Sequence, residues 1–73
     1  MTTQNQVNLR KLGVTVRESE VGRLLAQRIP NKGIAKRLHI SPRTVEKHVA
    51  NLLTKTGQQD RDSFASYARD TFS

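Results

Sequence analysis

The sequence predicts a small all-α domain of four helices. Three observations support this class: apolar residues recur every three or four positions, residues favoured at helix ends flank those segments, and no segment alternates polar and apolar residues as a strand does. Seventy-three residues are enough for one domain. A chain of this length buries only ~60% of the surface that its unfolded form exposes, so it has no room for a deep substrate cleft.

The first helix is predicted to begin with Thr15 as its N-cap and to run to about Gln27. Thr15 and Glu18 have the spacing of a capping box, in which the hydroxyl and the carboxylate each accept a hydrogen bond from a free backbone N–H. The apolar residues recur at helical spacing: Val21, Leu24 and Leu25. Pro30 ends the helix, because proline disfavours the helical conformation in the residue before it.

A shorter second helix is predicted to start at Asn31, a favoured N-cap residue. Gly33 inside it costs ~1 kcal/mol relative to alanine. Lys32 and Lys36 fall on the side opposite the apolar residues, which are Ile34, Ala35 and Leu38. The corner 38–41 then leads into a third helix, and two helices joined in this way match a helix-turn-helix.

The third helix, about 42–56, has the clearest boundaries. Ser41 is a favoured N-cap, Pro42 takes the first helical position, and Gly57 suits the left-handed conformation that ends many helices. Its apolar stripe comprises Val45, Val49 and Leu52.

The side of this helix opposite the stripe carries basic, hydroxyl and amide groups and one small residue. At about 100° per residue these are Arg43, Lys47, Ala50, Asn51 and Thr54. We call this the polar face. Such groups suit contact with base edges and phosphates, although any solvated helix surface can have a similar composition.

A fourth helix is predicted from roughly Asp60, as its N-cap, to Asp70. Its apolar residues are Phe64, Ala65, Tyr67 and Ala68. Residues 1–13 are polar and without period, and we expect them to form a flexible arm or the remnant of a linker. The predicted domain therefore covers residues 14–73.

The charge of the chain favours a polyanionic partner. Thirteen Lys and Arg face six Asp and Glu, which leaves a formal charge of +7. Basic domains bind nucleic acids through release of the counterions condensed on phosphates. No apolar segment approaches the ~18 residues of a membrane span, and residues 1–6 do not form a signal peptide. We therefore expect a cytoplasmic protein that makes no contact with a membrane.

Catalysis, cofactors and metals find no support in the sequence. The chain has no cysteine, which excludes disulfides and thiolate ligands. His39 and His48 are nine positions apart without a third ligand at a recognisable spacing, so we expect no metal site. The scattered glycines form no phosphate-binding loop, and no nucleophile has an evident base.

Several motifs resemble the LuxR/FixJ-type, GerE-like helix-turn-helix DNA-binding domain. They are T-x-R-E-x-E-V at 15–21, N-K-x-I-A-x-x-L at 31–38, I-S-x-x-T-V-x-x-H at 40–48, N-L at 51–52 and K-x-G at 55–57. The match covers about residues 14–69. It implies the effector domain of a bacterial transcription regulator, such as a response regulator, and we expect the C-terminal part of a longer protein rather than a standalone one.

The resemblance also implies roles for individual positions. The third helix enters the major groove of double-stranded DNA, and the residues at base-facing positions are Glu46, Lys47 and Ala50. Positions near phosphates are Lys32, Ser41, Thr44, His48, Asn51 and Lys55, and Arg43 joins them from the polar face. The fourth helix commonly forms a homodimer on DNA, through the region of Phe64, Tyr67 and Ala68. An activator of this kind also contacts RNA polymerase, and the bound protein lies on the nucleoid.

Some positions keep two interpretations. His48 borders the apolar stripe and can equally be a packed, hydrogen-bonded residue, and Phe64 and Tyr67 can belong to the core. Glu46 has a structural interpretation, in which it pairs with Arg43 or is simply solvated. It also has a functional one, in which it accepts a hydrogen bond from cytosine N4 and determines specificity.

The chain also departs from the family pattern. Arg28 stands where glycine is usual, which predicts backbone strain at the end of the first helix. Gly33 replaces a usual glutamate, which predicts a loosened second helix. Thr56 and Gln58 replace apolar residues beside Gly57, which predicts a loosely seated fourth helix and makes dimerisation less secure.

Two other functions fit a helix pair of this kind. One is a sigma-factor-like domain that reads a promoter element. The other is a protein-interaction module whose third helix binds a partner protein. Salt-dependent binding to duplex DNA distinguishes the last from both DNA-binding alternatives.

Overall fold

The computed structural model describes residues 12–72, which form four helices: α1 Val16–Ala26, α2 Asn31–Leu38, α3 Pro42–Thr56 and α4 Arg61–Phe72. No strand occurs within these residues. The predicted all-α fold with a helix-turn-helix is therefore confirmed. Residues 1–11, which make up most of the predicted arm, lie outside the described residues.

Helix α1 begins with the predicted capping box. The Glu18 N–H donates to Thr15 Oγ1 at 3.1 Å, and the Thr15 N–H donates to Glu18 Oε1 at 3.0 Å. The helix ends where Arg28 takes a left-handed conformation with φ of 62°. A side chain in this region is strained, as expected for a residue at a position that favours glycine. The Arg28 Nη1 donates to Asp62 Oδ1 at 2.7 Å, which ties this corner to α4.

The start of α2 differs from the prediction. Pro30, with φ of −68° and ψ of 162°, is the N-cap, and Asn31 is the first helical residue. The prediction of Asn31 as the N-cap is therefore wrong. Its Oδ1 is buried and accepts no hydrogen bond from the described residues. The proline is favoured at the cap because its fixed φ already matches the extended conformation required there.

Gly33 has a packing role that its helix propensity does not show. A Cβ at this position would lie 2.8 Å from Cγ2 of Ile29, in the segment between α1 and α2. The absence of a side chain thus lets this segment pack closely against α2. The expectation that Gly33 merely loosens the helix is incomplete.

The corner between α2 and α3 depends on His39. This residue adopts a left-handed conformation, with φ of 58° and ψ of 43°, and its N–H donates to the Ala35 carbonyl. The Ile40 N–H donates to the same carbonyl at 3.0 Å. These bonds end α2 and direct the chain to Ser41, whose Oγ accepts from the Thr44 N–H at 3.1 Å as the predicted N-cap of α3.

The end of α3 has polar contacts in place of the apolar contact usual in the family. Gly57 is left-handed, with φ of 72°, and the Gln58 N–H donates to the Leu53 carbonyl at 3.0 Å. The Thr56 hydroxyl donates to the Leu52 carbonyl at 2.7 Å, and the Gln58 Nε2 donates to the Thr56 carbonyl at 3.3 Å. The cap is thus complete without an apolar neighbour.

Helix α4 packs against the core through one face. Asp60 Oδ1 accepts from the Ser63 N–H at 2.8 Å and caps the helix as predicted. Phe64, Ala65 and Ala68 are all buried. The structure therefore does not show the loosely seated fourth helix that the substitutions beside Gly57 led us to expect.

One core joins all four helices. Its buried apolar residues are Val14, Val21, Leu25, Ile34, Ala35, Val45, Val49, Leu52, Phe64, Ala65 and Ala68. Helix α3 packs against each of the other three helices. Within residues 12–72, no helix has the length and apolar character needed to cross a membrane.

Candidate nucleic-acid interface

Helix α3 has one buried side and one exposed side. Val45, Val49 and Leu52 are at most 5% exposed and fix the helix to the core. On the other side, the exposed residues are Arg43, Glu46, Lys47, Ala50 and Thr54. Four of the five residues of the predicted polar face, all but the half-buried Asn51, are therefore exposed over three turns of a helix whose opposite side is anchored in the core.

The start of α3 combines two hydroxyl groups with the partial positive charge of a helix N-terminus. The hydroxyls of Ser41 and Thr44 lie 3.0 Å apart. No acidic residue lies in the first turn. Pro42 has no N–H, and the Thr44 N–H already donates to Ser41 Oγ, but the partial positive charge of the helix N-terminus still attracts anions. This end of α3 is chemically suited to a phosphate.

The formal charge of the molecule is concentrated in the helix-turn-helix. Residues 31–56, which include α2 and α3, contain six basic residues and one acidic residue. The other described segments, 12–30 and 57–72, contain five basic and five acidic residues. The net charge of the described domain therefore lies on the two helices that form the corner.

The ion pairs follow the same division. Arg17 Nη1 lies 3.1 Å from Glu20 Oε1, and Arg28 Nη1 lies 2.7 Å from Asp62 Oδ1, both outside the helix-turn-helix. Five basic residues of α2 and α3 have no ion-pair partner among the described residues: Lys32, Lys36, Arg37, Arg43 and Lys47. All five are exposed and can bind an external anion.

Lys55 is the exception on α3. Its Nζ lies 2.7 Å from Oε1 of Glu18, and its side chain is only 29% exposed. Glu18 is 4% exposed. Burial raises the pKa of the Glu18 carboxyl, but the hydrogen bond and charge of Lys55, together with hydrogen bonds from the Thr15 backbone and Asn51, hold the pKa below its ordinary value. The Glu18 carboxyl is therefore charged near neutral pH.

His48 and Asn51 lie at the side of α3, each half-buried. The His48 Nδ1 is buried and makes no hydrogen bond to the described residues. The packed interpretation of His48 therefore fits the structure, whereas a hydrogen bond at Nδ1 is not formed. Asn51 lies beside the Glu18 carboxylate, which brings two predicted phosphate-contacting residues, Asn51 and Lys55, together at one acid.

Glu46 is exposed and makes no ion pair within the described residues. The alternative in which it pairs with Arg43 is thus not formed. Its carboxylate is available as a hydrogen-bond acceptor beside Lys47 and Ala50, the other predicted base-facing residues.

The predicted dimer residues of α4 lie mostly inside the domain. Phe64 and Ala68 are each 0% exposed, so they cannot face a partner in this arrangement. Tyr67 is half-buried, and its ring centroid lies 5.9 Å from that of Phe64 at a tilt of 47°. Of the three, only Tyr67 has exposed surface that a partner subunit could contact. Within residues 61–70, the exposed residues of α4 are polar: Asp62, Ser66, Arg69 and Asp70.

Sequence reasoning missed one residue of this region. The sequence pattern places Glu18 only in the capping box, yet Glu18 also binds Lys55, 37 positions away. No local pattern connects the two residues. The described residues contain no group of three or more His, Cys, Asp or Glu that could hold a metal ion.

Comparison with known proteins gives the family. Residues 9–68 match the model of the luxR family of bacterial regulatory proteins, also called GerE. The chain belongs to this family. The resemblance that the sequence suggested is thereby confirmed. No solved structure gives a significant match.

Three relatives illustrate the similarity. The response regulator Rre1 of Synechocystis is 45% identical over 58 residues, which are 80% of this chain and 25% of that protein. The nitrate/nitrite response regulator protein NarL of Escherichia coli K12 is 42% identical over 60 residues, 82% of this chain and 26% of NarL. The response regulator protein VraR of Staphylococcus aureus is 42% identical over 55 residues, 75% of this chain and 26% of VraR. The chain thus spans about a quarter of the length of these relatives.

Proposed function

We propose that this luxR-family domain binds double-stranded DNA sequence-specifically, as the effector domain of a bacterial transcription regulator, with α3 in the major groove. One observation carries the proposal: an exposed polar face on a well-anchored helix, within a helix-turn-helix that carries the net positive charge of the described domain. A major groove admits one α-helix, and phosphates flank the groove on both sides.

The exposed residues of α3 divide into two roles. Glu46, Lys47 and Ala50 lie on the outward side and are assigned to base edges: lysine donates to guanine O6 and N7, and a carboxylate accepts from cytosine N4. The groups near the helix start and on its flanks are assigned to phosphates: Lys32, Ser41, Arg43, Thr44, His48 and Asn51. Lys55 stands apart from these, because its ammonium already binds Glu18.

Selection of bound duplexes from a random pool tests the proposal. The expected result is a recovered consensus sequence. The logarithm of the affinity for it should fall linearly with the logarithm of the salt concentration, with a slope of ~0.9 for each phosphate that the protein neutralises. Absence of duplex binding, or binding unaffected by salt, would point instead to a protein-interaction module.

Two substitutions of exposed lysines test the division of roles. Lys47→Ala should weaken binding to the selected sequence by ~1–3 kcal/mol and relax the preference at one base position. Lys32→Ala should weaken binding to all duplexes alike and lower the salt slope by ~1. Equal losses on selected and random DNA for both variants would contradict the division.

Glu46 offers the sharpest test of specificity. If its carboxylate reads a base, Glu46→Gln should change the preferred base at one position of the site. If it is only a solvated charge, the variant should bind every duplex more tightly and keep the same consensus, because one repulsive charge has been removed. Selection with both proteins distinguishes these results.

Dimerisation, polymerase contact and location complete the proposal. A homodimer on DNA predicts an inverted repeat with half-sites about one helical turn apart. Sedimentation with and without that duplex measures the stoichiometry. An activator should retain RNA polymerase on a promoter carrying the site. The protein should be found in the cytoplasm, on the nucleoid when it is bound.

A further inference from the structure

The Glu18 carboxylate has a role that its capping box does not require. Glu18 is the only charged residue within 12–72 that is buried, at 4% exposed. It lies in the first turn of α1, whereas its partner Lys55 lies in the last turn of α3. Glu18 Oε1 accepts from both Lys55 Nζ at 2.7 Å and the Thr15 N–H at 3.0 Å. The capping box thus fixes a carboxylate that in turn binds α3.

This pair restrains Lys55 more firmly than a phosphate could. Moving the ammonium onto a DNA phosphate would leave the Glu18 carboxylate buried without its cation, which carries a large penalty in a protein interior. A single phosphate contact at the surface, screened by salt, returns much less. The ammonium and carboxylate therefore remain paired, and together they carry no net charge toward the DNA.

We propose that Glu18 and Lys55 are positioning residues for α3. Their ion pair holds the C-terminal half of α3 against α1 and so sets the orientation of the polar face in the groove. In this role Lys55 contacts no phosphate. The inference rests on the proposed DNA binding, because the orientation of α3 is measured through the preference of the domain for one DNA sequence.

Two single variants remove the pair with opposite changes in charge. Glu18→Gln keeps the capping box, because glutamine also serves at that position, and it raises the net charge by one. Lys55→Gln lowers the net charge by one. Each variant should reduce the ratio of the affinity for the selected duplex to the affinity for random duplex by roughly tenfold, which is the size of effect expected from the interaction energy of two residues in contact. A general charge effect would instead move the two variants in opposite directions.

The salt dependence of binding isolates the role of Lys55. Lys55→Gln should leave the slope unchanged, whereas the matched control Lys32→Gln, whose lysine is exposed and unpaired, should lower it by ~0.9. Lys55→Arg keeps the ion pair and should retain the sequence preference. The double variant Glu18→Gln/Lys55→Gln should lose no more preference than either single variant. All are measured well below the unfolding temperature after circular dichroism shows a helical fold.

The outcomes separate this inference from the proposed function. A fall in slope for Lys55→Gln equal to that for Lys32→Gln overturns it, because Lys55 then neutralises a phosphate. Unchanged preference in both single variants overturns it as well, while wild-type binding would still support the proposed function. If the wild-type domain fails to bind any duplex, the proposed function and this inference fall together.

Discussion

The helix-turn-helix and the rest of the domain use charge in different ways. The helix-turn-helix of α2 and α3 has six basic residues and a single acid, and five of those basic residues lack an ion-pair partner within the described chain. In α1, α4 and the adjoining segments, basic and acidic residues are equal in number, and Arg17 and Arg28 bind acids. The first region is left electrostatically unbalanced, and the second is balanced.

This difference separates the part of the domain that contributes stability from the part whose charges reduce it. Uncompensated like charges on α2 and α3 repel one another in the free protein and become favourable only beside a polyanion. Because the Arg17–Glu20 and Arg28–Asp62 ion pairs lie at the surface and are of small value, the apolar core shared by all four helices, together with the Glu18–Lys55 pair, must hold the charged helices in place. The following substitutions test that division.

The largest effect is expected from Phe64→Ala. Phe64 is fully buried and is among the largest core side chains, so its truncation should cost ~3–5 kcal/mol. A chain of 73 residues is expected to have a total stability of only roughly 4–11 kcal/mol. Urea unfolding followed by circular dichroism measures the loss. Phe64→Leu, a milder change, should remain folded and bind DNA with wild-type affinity, because the residue acts on stability alone.

Gly33→Ala should destabilise the domain by ~1–3 kcal/mol, although alanine is the better helix former. The reason is the 2.8 Å approach of the new Cβ to Ile29 Cγ2. Leucine has no methyl branch at Cβ, so the double variant Ile29→Leu/Gly33→Ala should recover most of the loss in thermal unfolding. If Gly33→Ala raises the melting temperature instead, the close approach is not restrictive.

The two hydroxyl N-caps, Thr15 and Ser41, allow a matched comparison of the two regions. Ser41→Ala and Thr15→Ala should each lower stability by ~1 kcal/mol, since each hydroxyl accepts one backbone N–H. Ser41→Ala should also weaken DNA binding, whereas Thr15→Ala should not. Unfolding and duplex titration of both proteins provide the check. Equal losses of DNA affinity would show that the cap on α3 acts only through stability.

The smallest effect is expected at the end of α1. Arg28→Gly removes a strained left-handed side chain but also removes an exposed ion pair with Asp62, and glycine adds freedom to the unfolded chain. These contributions oppose one another, so the free energy of unfolding should change by less than ~1 kcal/mol, as measured by thermal unfolding. Asp62→Asn isolates the ion pair, and its loss should be smaller still.

Most of the fold could be predicted from the sequence because its determinants are local. Thr15, Ser41, Gly57 and Asp60 each act within a few residues, and all four ended or began a helix as expected. The apolar stripes of the helices were likewise buried as their spacing predicted, except that Leu24, Leu38 and Tyr67 are only half-buried. Asn31 failed as an N-cap because Pro30, directly before it, satisfies the same backbone requirement.

The remaining features depend on a contact between distant residues or on an unusual backbone conformation. Glu18 and Lys55 are 37 positions apart, so their pairing requires the packing of α1 against α3. The packing of Ile29 against Gly33 depends on how the chain turns after Arg28, which takes a conformation rare for an arginine. The roles of Glu46, Lys47 and the phosphate-contacting residues remain predictions, since they concern a partner molecule.

The concentration of charge on two of the four helices also gives the described domain an electric dipole. The field of a DNA duplex exerts a torque on such a body and turns the helix-turn-helix toward the phosphates before any atoms touch. The domain measures 31 × 22 × 19 Å. Salt screens the field over about 8 Å at physiological ionic strength, so the torque acts only during the last fraction of a molecular diameter. A freely rotating domain would thus arrive in random orientations and be aligned just as it reaches the groove.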